Sequence, residues 1–199
     1  MNAIDMHNHF IAPEMIDFLA REGTHFATRI VEREGRRFFL IQESAMRPID
    51  GPISDASKRI ADMDREGVAI QAVSCVPFLM YPEVPADRGL AIAQVNNDAL
   101  AVLNKSSADR FCPLASVPLQ EPSLAVHELE RAAKMGLRGV EIPPKIGERQ
   151  LDEPEFEVFW EAAEALQMVV CIHPFEAAPV GAYRRYFLGN LAGNLYDTG

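Results

Sequence analysis

Asp5-Met6-His7-Asn8-His9 sets two imidazoles two residues apart, close to the start of the chain. In a β-strand successive side chains alternate faces, so Asp5, His7 and His9 are expected to point the same way. Two imidazoles at the end of one strand make half of a metal site, since neutral imidazole is the commonest protein ligand for zinc and similar ions. A later segment supplies a third. Met168-Val169-Val170-Cys171-Ile172 is a short apolar, largely β-branched run that leads into His173-Pro174-Phe175. Such a run fits a strand buried on both faces of a parallel sheet. Pro174 cannot donate to a ladder, so the strand should end near His173. A solvated pair near the terminus and one core histidine would show the same residues. The shared position at strand ends favours His7, His9 and His173 as ligands of one divalent ion. His25 and His127 lack ligand-like spacing and read as surface histidines.

Strand and helix patterns alternate along the chain. Strands are expected at Ile4 to His9, Val68 to Val76, Phe111 to Ser116, Arg138 to Ile142 and Val169 to His173. Helical periodicity lies between them. Asp55 to Arg65 puts Ile60 and Met63 on one face, with Gly67 as C-cap. Asp87 to Ser106 carries Leu90, Ile92, Val95, Leu100 and Leu103. Ser123 to Met135 turns Leu124, Val126, Leu129 and Ala133 inward. Pro154 to Gln167 carries Phe156, Phe159, Trp160, Ala163 and Leu166. Strands alternating with helices imply βαβ units and a parallel sheet, an α/β fold. One stretch breaks the alternation: His25 to Gln42 reads as a β-hairpin with Gly35 in its turn, inserted after the first strand.

Composition bounds the function classes. The net charge is −10, which disfavours nucleic acid and anionic membranes as partners. No long apolar run or basic leader is evident, so neither a membrane span nor a signal peptide is expected. Cys75, Cys112 and Cys171 lie in apolar runs without Cys-x-x-Cys spacing, as buried free thiols of a cytoplasmic protein would.

Asp5-Met6-His7-Asn8-His9-Phe10 together with Ile172-His173-Pro174-Phe175 resembles the amidohydrolase superfamily. The closer resemblance is to amidohydrolase-related family 2, the branch with aminocarboxymuconate semialdehyde decarboxylase and other nonoxidative decarboxylases. Arg59 to Asp64 with Gly67-Val68, Ala72 to Ser74 with Val76-Pro77, and Asn96 to Asp98 fit the same branch. So do Arg110-Phe111, Val117 to Gln120 and Gly139 to Ile142. The matches run in order over essentially the whole chain.

The resemblance implies a (β/α)8 TIM barrel with its site at the C-terminal ends of the strands. Only five βα units are legible here, so residues 1–199 are expected to form an incomplete barrel domain, an N-terminal portion with the hairpin insertion at about 25–42. The resemblance assigns His7, His9 and His173 to the metal, zinc first and manganese as the alternative. The family's further ligand, an aspartate on the eighth strand, and its acid-base histidine on the sixth have no counterpart in this sequence. Lys145 follows two prolines and is poorly placed to bridge two metals, so a mononuclear site is expected, with Glu141 a plain strand residue. Arg47, placed in the loop after the hairpin, is the candidate for a substrate carboxylate, with Arg184 and Arg185 behind it. Phe175 would flank the substrate. The implied activity of the full-length protein is metal-dependent nonoxidative decarboxylation of a small unsaturated or aromatic carboxylic acid, in a homodimer. Two alternatives stand beside it: a hydrolase of a lactone or ester on the same scaffold, and an inactive truncated metal-binding fragment.

Overall fold

The computed structural model describes residues 3–43, 45–175 and 188–198. Its centre is a parallel sheet built from β1 (Ala3–His9), then, further along the chain, Val68–Ser74, Phe111–Ala115, Gly139–Ile142 and Val169–Ile172. These five strands are hydrogen-bonded neighbours in chain order and curl into a half-barrel. The α/β architecture and the strand order read from the sequence hold, with each strand within a residue or two of its expected bounds.

A helix not anticipated from the sequence follows β1. In α1 (Pro13–Glu22) the proline sits at the first helical turn, where its missing N–H costs nothing. Met15, Ile16 and Leu19 are its buried face. The inserted segment is larger than a hairpin. β2 (Thr28–Arg33) pairs antiparallel with β3 (Arg36–Ile41) through a turn whose two central residues, Glu34 and Gly35, have φ of 53° and 71°. Positive φ at both places is the turn that matches strand twist. A third strand, β4 (Ala45–Pro48), then pairs with β3. Arg47 therefore lies on a strand, paired with Phe39, and not in a loop. Gln42 and Glu43 also have positive φ, 48° and 54°. Neither residue is a usual choice for the left-handed region, so the sequence carries no signal for this second turn.

After the ribbon come α2 (Ala56–Glu66) and β5 (Val68–Ser74). Asp55 caps α2, its Oδ1 accepting from the Lys58 amide at 3.1 Å, and Gly67 closes it at φ 73°. Next are α3 (Ala86–Ser106), β6 (Phe111–Ala115), α4 (Pro122–Lys134) and β7 (Gly139–Ile142). In α4 the buried residues are Ala125, Glu128, Leu129 and Ala132; Leu124, Val126 and Ala133 are only half-buried. A short hairpin, β8 (Lys145–Ile146) with β9 (Arg149–Gln150), leads to a 3-10 turn at Pro154–Phe156. Then follow α5 (Glu157–Ala165), β10 (Val169–Ile172) and, past residues of which nothing is described, a π-helical turn Gly189–Gly193 and α6 (Asn194–Thr198). Gly139 has no room for a side chain: a Cβ would stand 2.6 Å from Leu114 Cδ2 and 2.8 Å from the Val169 carbonyl.

The core fills the space between sheet and helices, with Phe39, Phe111, Phe156 and Phe159 fully buried. The two outer strands are another matter. Ile4 and Met6 of β1 are 58% and 71% exposed, and Val169 of β10 is 64% exposed. Among the described residues no helix is long and apolar enough to cross a membrane.

Candidate metal centre and its pocket

β1 and β10, the outer strands of the half-barrel, bring their histidines together. The ring centroids of His7 and His9 are 4.8 Å apart, and each lies 5.0 Å from that of His173. One ring nitrogen from each of the three lies within 4.8 Å of the other two. His173 is held just past β10 because its amide donates to the Ile142 carbonyl at 2.9 Å, extending the ladder by one bond. Asp5 does not join them. β1 pairs Asp5 with Gln71 and Asn8 with Val73, three steps against two, so a bulge interrupts the alternation. The Asp5 carboxylate instead accepts from the Asn8 amide at 2.9 Å and the Gln71 amide at 3.0 Å.

The bulge is pinned by Arg59, which opens a family-like stretch in the sequence but carried no role there. Its guanidinium reaches from α2 to four oxygens: the Pro52 carbonyl at 3.0 Å, the His9 carbonyl at 2.6 Å, Gln71 Oε1 at 3.2 Å and Asn8 Oδ1. Phe10 lies beneath it, its ring centroid 5.7 Å from Cζ. Burial tends to raise the Asp5 pKa, but the hydrogen bonds from Asn8, the His7 amide and Gln71 together outweigh it and hold Asp5 below its ordinary value. One signal for Arg59 was present. It precedes Met63 by four residues and so shares that residue's inward face.

His9 is oriented from behind. Its Nδ1 lies 3.0 Å from Ser74 Oγ and 3.1 Å from the Cys75 carbonyl. An Nδ1–H donating there leaves the Nε2 lone pair for a ligand, the usual arrangement of a metal-binding imidazole. Burial, with the neighbouring His173 and His7, depresses the His9 pKa to about 4, so the ring is neutral near pH 7. Burial also lowers that of His173. Ser74 in turn donates to Glu141 Oε2 at 2.9 Å. Glu141 is thus not a plain strand residue. Burial pushes its carboxyl up to about 7, against the hydrogen bond from Ser74 and the lowering influence of the neighbouring Cys171 thiol. The signal for it was a lone carboxylate inside an otherwise apolar strand.

A cavity of about 510 Å³ opens at this point. His173, Pro174, Phe175, Phe26, Phe78 and Tyr81 line it, together with Arg47 from β4. The size falls within the range of roughly 300–1,000 Å³ usual for small-molecule pockets. Arg47 Cζ stands 5.8 Å from the Phe78 ring centroid, and its Nη1 donates to the Met46 carbonyl at 3.2 Å. No acidic side chain among the described residues pairs with it in an ion pair. His25 and His127 are exposed, as read from the sequence, and neither joins the histidine cluster. Arg184 and Arg185 lie outside the described residues.

A half-barrel with histidines at its strand ends is the frame of a metal-dependent hydrolase-type fold, and sequence comparison gives the family. The amidohydrolase family model matches residues 4–195, and the chain belongs to that family. The 2-amino-3-carboxymuconate-6-semialdehyde decarboxylase of Dictyostelium discoideum is 33% identical over 161 residues, 80% of this chain and 45% of that protein. The chain thus spans about half the length of the curated relatives it matches. Among solved structures, 5-carboxyvanillate decarboxylase from Sphingomonas paucimobilis superposes with a TM-score of 0.74 at 24% identity, over 99% of this chain and 60% of that one. A dihydroxybenzoic acid decarboxylase from a Polaromonas species, solved with bound manganese and 2-nitroresorcinol, gives 0.70 at 23% identity, over 100% and 58%.

Proposed function

We propose that the whole protein is a metal-dependent nonoxidative decarboxylase of a small aromatic or unsaturated carboxylic acid, with His7, His9 and His173 as ligands of one divalent ion. The observation that carries this reading is a three-histidine cluster adjoining a cavity that holds an arginine among aromatic rings. The donor set fits: catalytic zinc sites commonly have three protein ligands and an open position. Zinc is our first assignment, and manganese, present in a solved neighbour, is the alternative. When bound, the ion polarises a substrate oxygen as a Lewis acid.

The chain's own residues do the rest. Arg47 holds the carboxylate end of an acid, since its planar fork matches that geometry. Phe78 and Phe175 pack on the flat faces of the ring. A proton then adds to the carbon that bears the carboxylate, the C–C bond breaks, its electron pair returns to the ring, and CO₂ leaves. We place the proton donor in the part of the whole protein beyond these five βα units. That β1 and β10 are the outermost of the five parallel strands among the described residues, with apolar Ile4, Met6 and Val169 exposed, supports the same view. We place the protein in the cytoplasm, in keeping with three cysteines that form no disulfide, and take the full-length form to be a homodimer.

The test is CO₂ release by the full-length, metal-loaded protein from hydroxybenzoates and carboxymuconate-type acids. Arg47→Ala is expected to raise KM at least tenfold while the chain keeps its fold and its metal. Lactone or ester hydrolysis without CO₂ release from any acid would replace this reading with the hydrolase.

A further inference from the structure

Beside the histidine cluster stand two further donors, Glu141 and Cys171, that the three-histidine site does not use. Cys171 on β10 pairs directly with Glu141 on β7. Residues paired in neighbouring strands project to the same face of the sheet, so thiol and carboxyl stand side by side. Cys171 Sγ, a Glu141 carboxylate oxygen and a His7 ring nitrogen all lie within 4.8 Å of one another. The Glu141 side chain is 1% exposed, and its Oε1 has no hydrogen-bond partner among the described residues. A buried acceptor left without a donor is rare in native proteins and calls for an explanation. A cation beside Oε1 supplies one.

We propose that His7 is shared between two donor sets and that a thiophilic divalent ion, with Cd²⁺ as the probe, settles on His7, Glu141 and Cys171. The inference rests on the metal reading given above for His7 and asks where an ion of given softness sits within that centre. Thiolate selects soft ions, whereas a hard ion such as Mn²⁺ gains little from it. Charge points the same way. Thiolate and carboxylate together neutralise a divalent ion, while three imidazoles leave its charge for an anionic ligand. On binding, the Cys171 S–H bond breaks, its proton passes to solvent, and the sulfur's electron pair forms the bond to the ion. His9 keeps its contacts to Ser74 and the Cys75 carbonyl throughout.

The test titrates the metal-free full chain with Cd²⁺ and follows the ultraviolet thiolate-to-metal charge-transfer band. The band is expected to saturate at about one equivalent, to vanish in Cys171→Ser and to persist in His173→Ala. Glu141→Gln is expected to weaken Cd²⁺ binding at least tenfold. Mn²⁺ binding, read by the paramagnetic resonance of the free ion, should be unchanged in Cys171→Ser and lost in His173→Ala. X-ray absorption of the Cd²⁺-loaded wild-type chain, which no folding defect of a variant can disturb, should show one sulfur ligand. A shell of nitrogen and oxygen only, or a band unaltered in Cys171→Ser, overturns the proposal. Should Mn²⁺ fail to bind while the Cd²⁺ band depends on Cys171, the three-histidine reading falls and the thiolate set stands.

Discussion

The floor beneath the histidines and the ribbon that follows β1 are both tied together by arginines, but under opposite conditions. Arg59 is 7% exposed and spends its donors on four oxygens that hold the bulge of β1 in place. Arg37 on β3 also makes a dense set of bonds, to Asp50, yet its side chain is 50% exposed. Removing the first strands the buried Gln71 Oε1 and the half-buried His9 carbonyl; removing the second returns its partner to water. The ribbon instead relies on Phe39, which is fully buried. The lesson is that hydrogen-bond counts do not rank these regions. Burial does, and it assigns positioning of the three histidines to the floor and presentation of Arg47 to the ribbon.

This contrast can be tested by substitution. The largest effect is expected at Arg59→Met, which leaves the buried Gln71 Oε1 and the half-buried His9 carbonyl without their Arg59 donor, whereas Asn8 Oδ1 keeps the His9 amide and the Pro52 carbonyl is near solvent. Each buried acceptor left unpaired costs about 1–3 kcal/mol, so a loss of about 3–5 kcal/mol in urea unfolding is expected, with metal affinity reduced roughly 10–100-fold. A loss below about 1 kcal/mol would mean that the bulge stands without Arg59. Phe39→Ala comes next. It should cost about 3 kcal/mol by emptying a packed site, while metal binding survives because the histidines lie on other strands. Metal loss in that variant would erase the division between floor and ribbon. Arg37→Ala is the smallest, within about 1 kcal/mol, as for exposed ion pairs generally, and smaller still in high salt.

The two regions also differ in how far they can be read from sequence. The histidines and the five strands were legible because short apolar, β-branched runs between helical patterns, two of them leading into His, are local signals. The β2–β3 hairpin was legible from Gly35. The turn at Gln42 and Glu43 was not, since residues that seldom adopt positive φ do so there, and β4 and the true setting of Arg47 were lost with it. Asp5 was misread because a bulge is a property of pairing with β5, which no local pattern in β1 records. Arg59, Ser74 and Glu141 meet only when α2, β5 and β7 pack around β1, so their joint role is long-range. Each left a faint trace as a polar residue on an inward face or inside an apolar strand.

The central claim is that His7, His9 and His173 hold one ion, and Mn²⁺ tests it most directly because it gains little from the thiolate of Cys171. Crystals of the full chain soaked in Mn²⁺ and measured for anomalous scattering should show a single peak within bonding distance of a ring nitrogen of each of the three histidines. A peak that misses any of them, or no peak near β1 and β10 at saturating Mn²⁺, would contradict the account.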